Sequence, residues 1–263
     1  MPKTKTNDIL TYYEIHGKGK PFVLIHGLGT SHNAWDPQTK YFSKKYKVIT
    51  YDLRGHQKSQ GSERKYSCEL MADDLKALLD HLNIKKPIIC GISLGGMIAQ
   101  QYAVKYNGDL GGLILSDTAT SPGYFFREAL QKIILPKFGV KYLIKNLTKE
   151  RSAKIFLSFF RKMNPDLKEY FKNEFFKLGK KEFSKMIDAI YDFHLLELSK
   201  IKVPTLIVVG ELERKAVFSQ SKNMRDIISN SFIVEIKNSV HVSNLENPEQ
   251  FNKELEKFLK AHF

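Results

Sequence analysis

Ile88-Ile89-Cys90-Gly91-Ile92-Ser93-Leu94-Gly95-Gly96-Met97-Ile98-Ala99 is the stretch that decides the fold of this 263-residue chain. Its first three residues form a short apolar run of the kind that makes a buried strand, and Met97-Ile98-Ala99 lead into a helix-compatible segment. Between them stands Gly91-x-Ser93-x-Gly95. That pattern is weak alone, but a strand feeding it and a helix leaving it give the setting of a nucleophile elbow. The turn is tight enough that side chains at 91 and 95 would collide, so glycine is required there and Ser93 is presented at the tip. A helix starting just after Ser93 also aims its free amides and positive dipole end at the same point.

Outward from the elbow, apolar runs recur at 22–25, 48–51, 113–115, 206–209 and 232–236, each short enough for a buried strand. Helical spacing lies between them, as in Met71, Leu75, Leu78, Leu79 and Leu82, or Phe251, Leu255, Phe258 and Leu259. Asn247 is placed to cap that last helix and Pro248 suits its first position. Strands alternating with helices predict an α/β fold whose central sheet is mostly parallel and flanked by helices on both faces. From 120 to 199 the alternation stops. Phe125, Phe126, Phe156, Phe159, Phe160, Phe171, Phe175 and Phe176 crowd into this segment, and its spacing predicts several helices. The expected organisation is a core of residues 1–119 and 200–263 with a helical cap inserted at 120–199. Pro122-Gly123 marks the cap's entrance and Ile201-Lys202-Val203-Pro204 the return to the sheet.

A composition of 42% hydrophobic and 27% charged residues can bury a real core, which excludes a disordered chain. The N-terminus lacks an apolar leader, and no run reaches the roughly eighteen residues that span a bilayer, so a cytoplasmic protein without membrane partners is expected. Cys68 and Cys90 are the only cysteines, which predicts neither a disulfide framework nor a metal site. The net charge of +14 could attract nucleic acid. Its lysines are scattered along the chain rather than clustered with arginine and aromatic partners, so a solvated surface is expected and no nucleic-acid partner. Much of the excess falls between 120 and 199, which keeps anionic small molecules open as substrates. Monomer and homodimer both remain compatible with the sequence.

An elbow of this kind needs donors for a developing oxyanion. The amide of Leu94, next after Ser93, is one. The glycine-rich turn His26-Gly27-Leu28-Gly29 after the run at 22–25 supplies the other, assigned to Leu28. His26 is expected to hold that turn by hydrogen bonds. These stretches, with Asp52-Leu53-Arg54-Gly55-His56 and Ser59, Gly210-Glu211-Leu212-Glu213, and His241 followed by Glu246-Asn247-Pro248-Glu249, resemble the α/β-hydrolase family in order along nearly the whole chain. More narrowly, Leu28-Gly29-Thr30 followed by Trp35-Asp36-Pro37-Gln38 resembles the branch containing 3-oxoadipate enol-lactonases and related carboxylesterases.

The resemblance implies the chain order nucleophile, acid, histidine, which makes His241 the general base. Asn238-Ser239-Val240 stands where the family usually has a glycine. The acid is expected after the run at 206–209, where Glu213 occupies the family's usual aspartate position; Asp117 is the alternative, and Glu211 is third, expected to brace the loop. Asp52 and Arg54 are expected to form a salt-linked loop behind the oxyanion turn. Trp35 either walls an acyl pocket or anchors the next helix. With Phe125, Phe126 and His194 it completes the candidate substrate-binding set, although a structural role is the stronger expectation for His194. His16, His81 and His262 are read as surface residues, and His56 as a loop stabiliser. The resulting expectation is a cofactor-independent serine hydrolase acting on carboxylic esters through Ser93, with lactone hydrolysis as the alternative and a non-catalytic ligand-binding role behind both.

Overall fold

The computed structural model describes residues 2–121, 146–158 and 162–263. The strands are β1 (Lys3–Thr6), β2 (Ile9–His16), β3 (Lys20–Ile25), β4 (Tyr46–Tyr51), β5 (Ile88–Ile92), β6 (Gly112–Ser116), β7 (Thr205–Gly210) and β8 (Ser231–Ile236). They form one eight-stranded sheet in the order β1-β2-β4-β3-β5-β6-β7-β8. The first two pairings, β1 with β2 and β2 with β4, are antiparallel, and all others are parallel. β5, β6 and β7 are buried at every residue, which is why they read as continuous runs rather than as alternating ones. The run at 232–236 also read as a buried strand, yet β8 is the outer edge of the sheet. Only Ile236 is fully buried there and Phe232 stands 48% exposed.

The helices are α1 (Asp36–Phe42), α2 (Cys68–His81), α3 (Leu94–Lys105), α4 (Lys149–Ser158), α5 (Pro165–Lys177), α6 (Lys180–Tyr191), α7 (Lys215–Ile227), α8 (Ser243–Glu246) and α9 (Pro248–His262). Successive strand residues face opposite sides of the sheet and so enter different cores. Val23, Ile25, Ile89, Leu113 and Ile207 pack with α2 and α3 in one cluster. Phe22, Leu24, Ile88, Ile114 and Leu206 pack in the other with Trp35, Phe42 and the α9 residues Phe251, Leu255, Phe258 and Leu259. The start of α9 follows its sequence signal, since Gln250 donates its amide to the Asn247 side chain at 3.2 Å and Pro248 opens the helix. Among the described residues, no helix is long and apolar enough to cross a membrane.

Between β6 and β7 the described residues form α4, α5 and α6. The last of these docks on the loop after β4. Its Glu182 accepts a hydrogen bond from the Tyr66 hydroxyl and lies where a Cβ on Gly55 or Gly61 would come within 2.3 or 2.8 Å of its carboxylate. Phe125, Phe126, Phe159, Phe160 and the Pro122-Gly123 turn lie outside the described residues.

From β3 the chain moves outward to β4 and then crosses to β5 on the other side of β3, so the order reverses between β3 and β5. In open α/β sheets, ligands bind at the carboxyl ends of strands at such a point. The two ends meet closely: a Cβ on Gly95 would lie 2.2 Å from the Ile25 carbonyl oxygen, and one on Gly91 would lie 2.2 Å from the Gly95 carbonyl oxygen. Both obstacles are backbone and cannot rotate away. Gly95→Ala should therefore cost more than about 3 kcal/mol or prevent folding. Urea denaturation beside wild type measures this, and an unchanged midpoint would contradict the packing described.

Candidate active site

Ser93 follows β5 with φ 55° and ψ −118°, a backbone conformation that L residues rarely adopt. Its neighbours hold it there. Ser93 donates its amide to the Ser116 carbonyl at 3.0 Å, while its own carbonyl accepts from the Thr118 hydroxyl at 2.7 Å and from the Gly96 and Met97 amides at 2.9 and 3.1 Å. The hydroxyl is left to point at His241, whose Nε2 lies 2.8 Å from Ser93 Oγ. On the other side of the ring, Nδ1 lies 2.6 Å from Glu213 Oε2. An ionised Glu213 can only accept, so Nδ1 carries the proton and Nε2 is free to receive one from the serine. Burial pulls the His241 pKa down, but the charge and hydrogen bond of Glu213 outweigh it, with Asp117 assisting, and the net shift is upward.

Glu213 is fixed in turn by the Arg214 amide, which donates to its Oε1 at 2.8 Å. Asp117, the alternative acid, is otherwise engaged. Its Oδ1 accepts the Gly210 amide at 2.8 Å, and its Oδ2 accepts the hydroxyl and amide of Ser243 at 2.5 and 3.2 Å and the Ser116 hydroxyl at 3.0 Å. None of its hydrogen bonds reaches His241. It ties the end of β6 to the acid loop and the histidine loop, and burial together with the nearby Glu213 charge lifts its pKa to about 6. Glu211 braces the loop, accepting from Lys237 Nζ at 2.9 Å and from the Asn238 amide at 3.0 Å. Asn238 has φ 55°, so the missing glycine is replaced by a residue that tolerates the left-handed region.

The turn that carries Leu28 is held on every side. His26 Nδ1 donates to the Gly27 carbonyl at 2.8 Å and its Nε2 accepts the Leu53 amide at 3.0 Å. His56 Nε2 accepts the Gly29 amide at 3.2 Å. Each ring accepts on Nε2 and is therefore neutral; burial depresses both, His56 to about 3. Leu94, as the first residue of α3, has no acceptor inside its helix. No described group takes the Leu94 or Leu28 amide.

One expectation changes, and the open alternatives at Trp35 and His194 are narrowed. Arg54 does not pair with Asp52: it is buried against Asp74, at 2.7 and 2.8 Å, with Asp8 and Ser62 beyond. Asp52 is instead bonded to the ring Nδ1 and the amide of His32, at 2.7 and 2.9 Å, a buried histidine that sequence reasoning passed over because nothing local marks it. Trp35 has no exposed surface and packs 6.2 Å from the Phe251 ring, so it anchors α1 against α9 rather than walling a pocket. His194 is exposed and bonds the Asp192 carbonyl through its Nδ1 at 3.2 Å, with no described contact to Ser93, Glu213 or His241. Among the described residues, no group of three or more His, Cys, Asp or Glu side chains could hold a metal ion.

An elbow serine, a histidine and a carboxylate at three strand ends of a mostly parallel sheet define a hydrolase site of the α/β class. The chain belongs to the α/β-hydrolase family, whose sequence profile, described as the alpha/beta hydrolase fold, matches residues 20–248. It is 31% identical over 264 residues to the AB hydrolase superfamily protein YisY of Bacillus subtilis (strain 168), covering 97% of each chain. An enol-lactonase from Burkholderia xenovorans LB400 superposes with a TM-score of 0.86 at 25% identity, over 98% of this chain and 100% of that one. A thermophilic esterase from Thermogutta terrifontis does so with a TM-score of 0.84 at 26% identity, over 99% and 97%.

The two carboxylates should separate by function. Glu213→Gln should lower turnover by about a thousandfold, whereas Asp117→Asn should cost under about tenfold, because only Glu213 touches the histidine. Steady-state kinetics of both variants check this, and the reverse ranking would make Asp117 the acid.

Proposed function

We propose that the protein is a cofactor-independent serine hydrolase that cleaves carboxylic esters of small to medium acyl or aryl groups. The observation that carries this reading is the continuous relay Ser93 Oγ, His241 Nε2, His241 Nδ1, Glu213 Oε2, with steps of 2.8 and 2.6 Å. Ser93 Oγ attacks the ester carbonyl while His241 Nε2 takes its proton. The tetrahedral oxyanion is received by the Leu28 and Leu94 amides, whose lack of a partner among the described residues suits them to a charge that forms only during reaction. The imidazolium then protonates the departing alkoxide, leaving an acyl-Ser93 ester. A water molecule, deprotonated by the same histidine, releases the acid and restores the serine. Glu213 stabilises the imidazolium in both halves and keeps its ring in the productive tautomer.

Lactone hydrolysis runs through the same atoms, with the leaving oxygen still tethered to the acyl group. The similarity to an enol-lactonase favours this second reading. The excess of lysine and arginine suits an anionic lactone.

Ser93→Ala should reduce ester turnover by about four to six orders of magnitude without loss of fold, and the variant should no longer be labelled by a fluorophosphonate. A panel of esters and lactones, neutral and anionic, run on wild type beside this variant tests the reading; a tenth of wild-type turnover surviving would end it. The pH profile gives an independent check. His241 must be neutral to act, and its pKa is raised from the ordinary 6.5, so kcat/KM should fall with decreasing pH along a limb centred above that value. Glu213→Gln removes the charge that raises it and leaves burial in control, so the residual activity should show that limb displaced to lower pH.

A further inference from the structure

The turn that bears Leu28 is held from the core by His26, His56 and Asp52, and it is also held from the other side. Helix α5 lies against it through two consecutive residues. Phe175 covers Gly29, with its Cδ2 3.5 Å from where a Cβ would stand. Glu174, only 4% exposed, reaches the same turn with its carboxylate. The Ser31 hydroxyl donates to Glu174 Oε2 at 3.0 Å, and Gln57 Nε2 donates to the same oxygen at 2.9 Å. Lys177 Nζ, one turn further along α5, donates to Oε1 at 2.6 Å.

A buried carboxylate is expensive unless its oxygens are satisfied, and breaking one of its bonds strands a charge rather than a neutral group. Glu174 therefore holds its partners firmly. Those partners are not arbitrary. Ser31 lies three residues beyond Leu28 in the same turn, and Gln57 directly follows His56, the ring that accepts the Gly29 amide. Ser31 and the His56 loop thus flank the turn that carries the Leu28 amide, the first within it and the second through the Gly29 amide. Oxyanion stabilisation is steep in this geometry, because a donor displaced by about an ångström loses much of its effect.

We infer that Glu174 is a positioning residue for the oxyanion turn: seated on α5, it clamps Ser31 and Gln57 and so makes the aim of the Leu28 amide depend on the docking of that helix. The inference rests on the reading of Leu28 as an oxyanion donor. It assigns to the segment between β6 and β7 a part in the chemical step itself, separate from any role in choosing substrates.

The test uses the intact protein with Glu174→Gln, which keeps the shape but cannot accept from all three donors, and Ser31→Ala, which deletes a single oxygen and leaves the carboxylate in place. Each is measured for kcat and KM on an ester that wild type cleaves, for thermal midpoint, and for affinity towards an aryl trifluoromethyl ketone. That inhibitor accepts Ser93 Oγ at its carbonyl carbon; the carbonyl electron pair moves onto oxygen and the serine proton passes to His241, leaving an oxyanion to be received by the turn. Both variants should lose about tenfold in kcat, keep KM within about twofold, and lose inhibitor affinity by the same factor as kcat. The double variant should be no worse than the weaker single one. Unchanged kcat, a change confined to KM, or a loss of turnover that merely follows the folded fraction would each overturn the proposal. If Glu174→Gln does not fold, Ser31→Ala carries the same expectations alone. Wild type that neither cleaves esters nor reacts with a fluorophosphonate would overturn the hydrolase reading and this inference with it, whereas a labelled, active wild type beside undisturbed variants would overturn this inference only.

Discussion

The close approach of Gly95 to the end of β3 is the contact on which the arrangement depends. Ile25 and Gly91 are paired across β3 and β5. For a helix to begin three residues after that pair, its first turn has to pass over the carbonyl ends of the neighbouring strand, and only hydrogen atoms fit in the space. Once the backbone is that close, Ser93 is forced into its unusual conformation and the turn from Gly27 lies beside it, with a Cβ on Gly27 falling 3.4 Å from the Ser93 Cβ. Ser93 and the turn that carries Leu28 are thus neighbours because two strands are neighbours.

The loops that complete the site are not held by their own conformational preferences. Each is anchored by a buried polar side chain from elsewhere in the chain: His26 to the loop after β4, Asp52 to His32, Asp117 to the end of β7 and the start of α8, and Gln220 of α7 to the Thr120 and Ser121 amides at 2.7 and 3.1 Å. A buried polar group left unpaired is costly, so each anchor has a single good position. Five strand ends are knitted into one surface in this way. The separation of His241 from Ser93 follows from that surface, since the loops that carry the ring are tied to the loops that hold the serine.

Features carried by short-range signals were legible in the sequence. The elbow is one, because strand, glycines, serine and helix lie within a dozen residues; the start of α9 is another, written in Asn247 and Pro248. Glu213 was implied by the resemblance to the family, with Asp117 left as the alternative. What periodicity could not tell was position in the sheet: the run at 232–236 looks like the runs at 88–90 and 206–209, and only the strand order reveals that β8 has a neighbour on one side. β1 and β2, half exposed and antiparallel, gave no continuous apolar run to notice. Partners far along the chain were equally hidden. Nothing near Arg54 points to Asp74 rather than Asp52, and nothing near His32 or Glu174 marks either as buried, because burial of a polar residue is decided by what folds over it.

Two neutral rings stand behind the turn that carries Leu28. His26 and His56 sit with their centroids 5.0 Å apart, each accepting a backbone amide on the one nitrogen that acid would protonate. In the unfolded chain both would take up a proton near 6.5, and in the fold both resist it. Acid therefore favours the unfolded state through these two residues, progressively as the pH falls below 6.5 and until the folded rings themselves titrate. A proton that enters either ring releases the Leu53 or Gly29 amide at the same moment. Through these two rings, acid acts on the loops that lie beside Ser93.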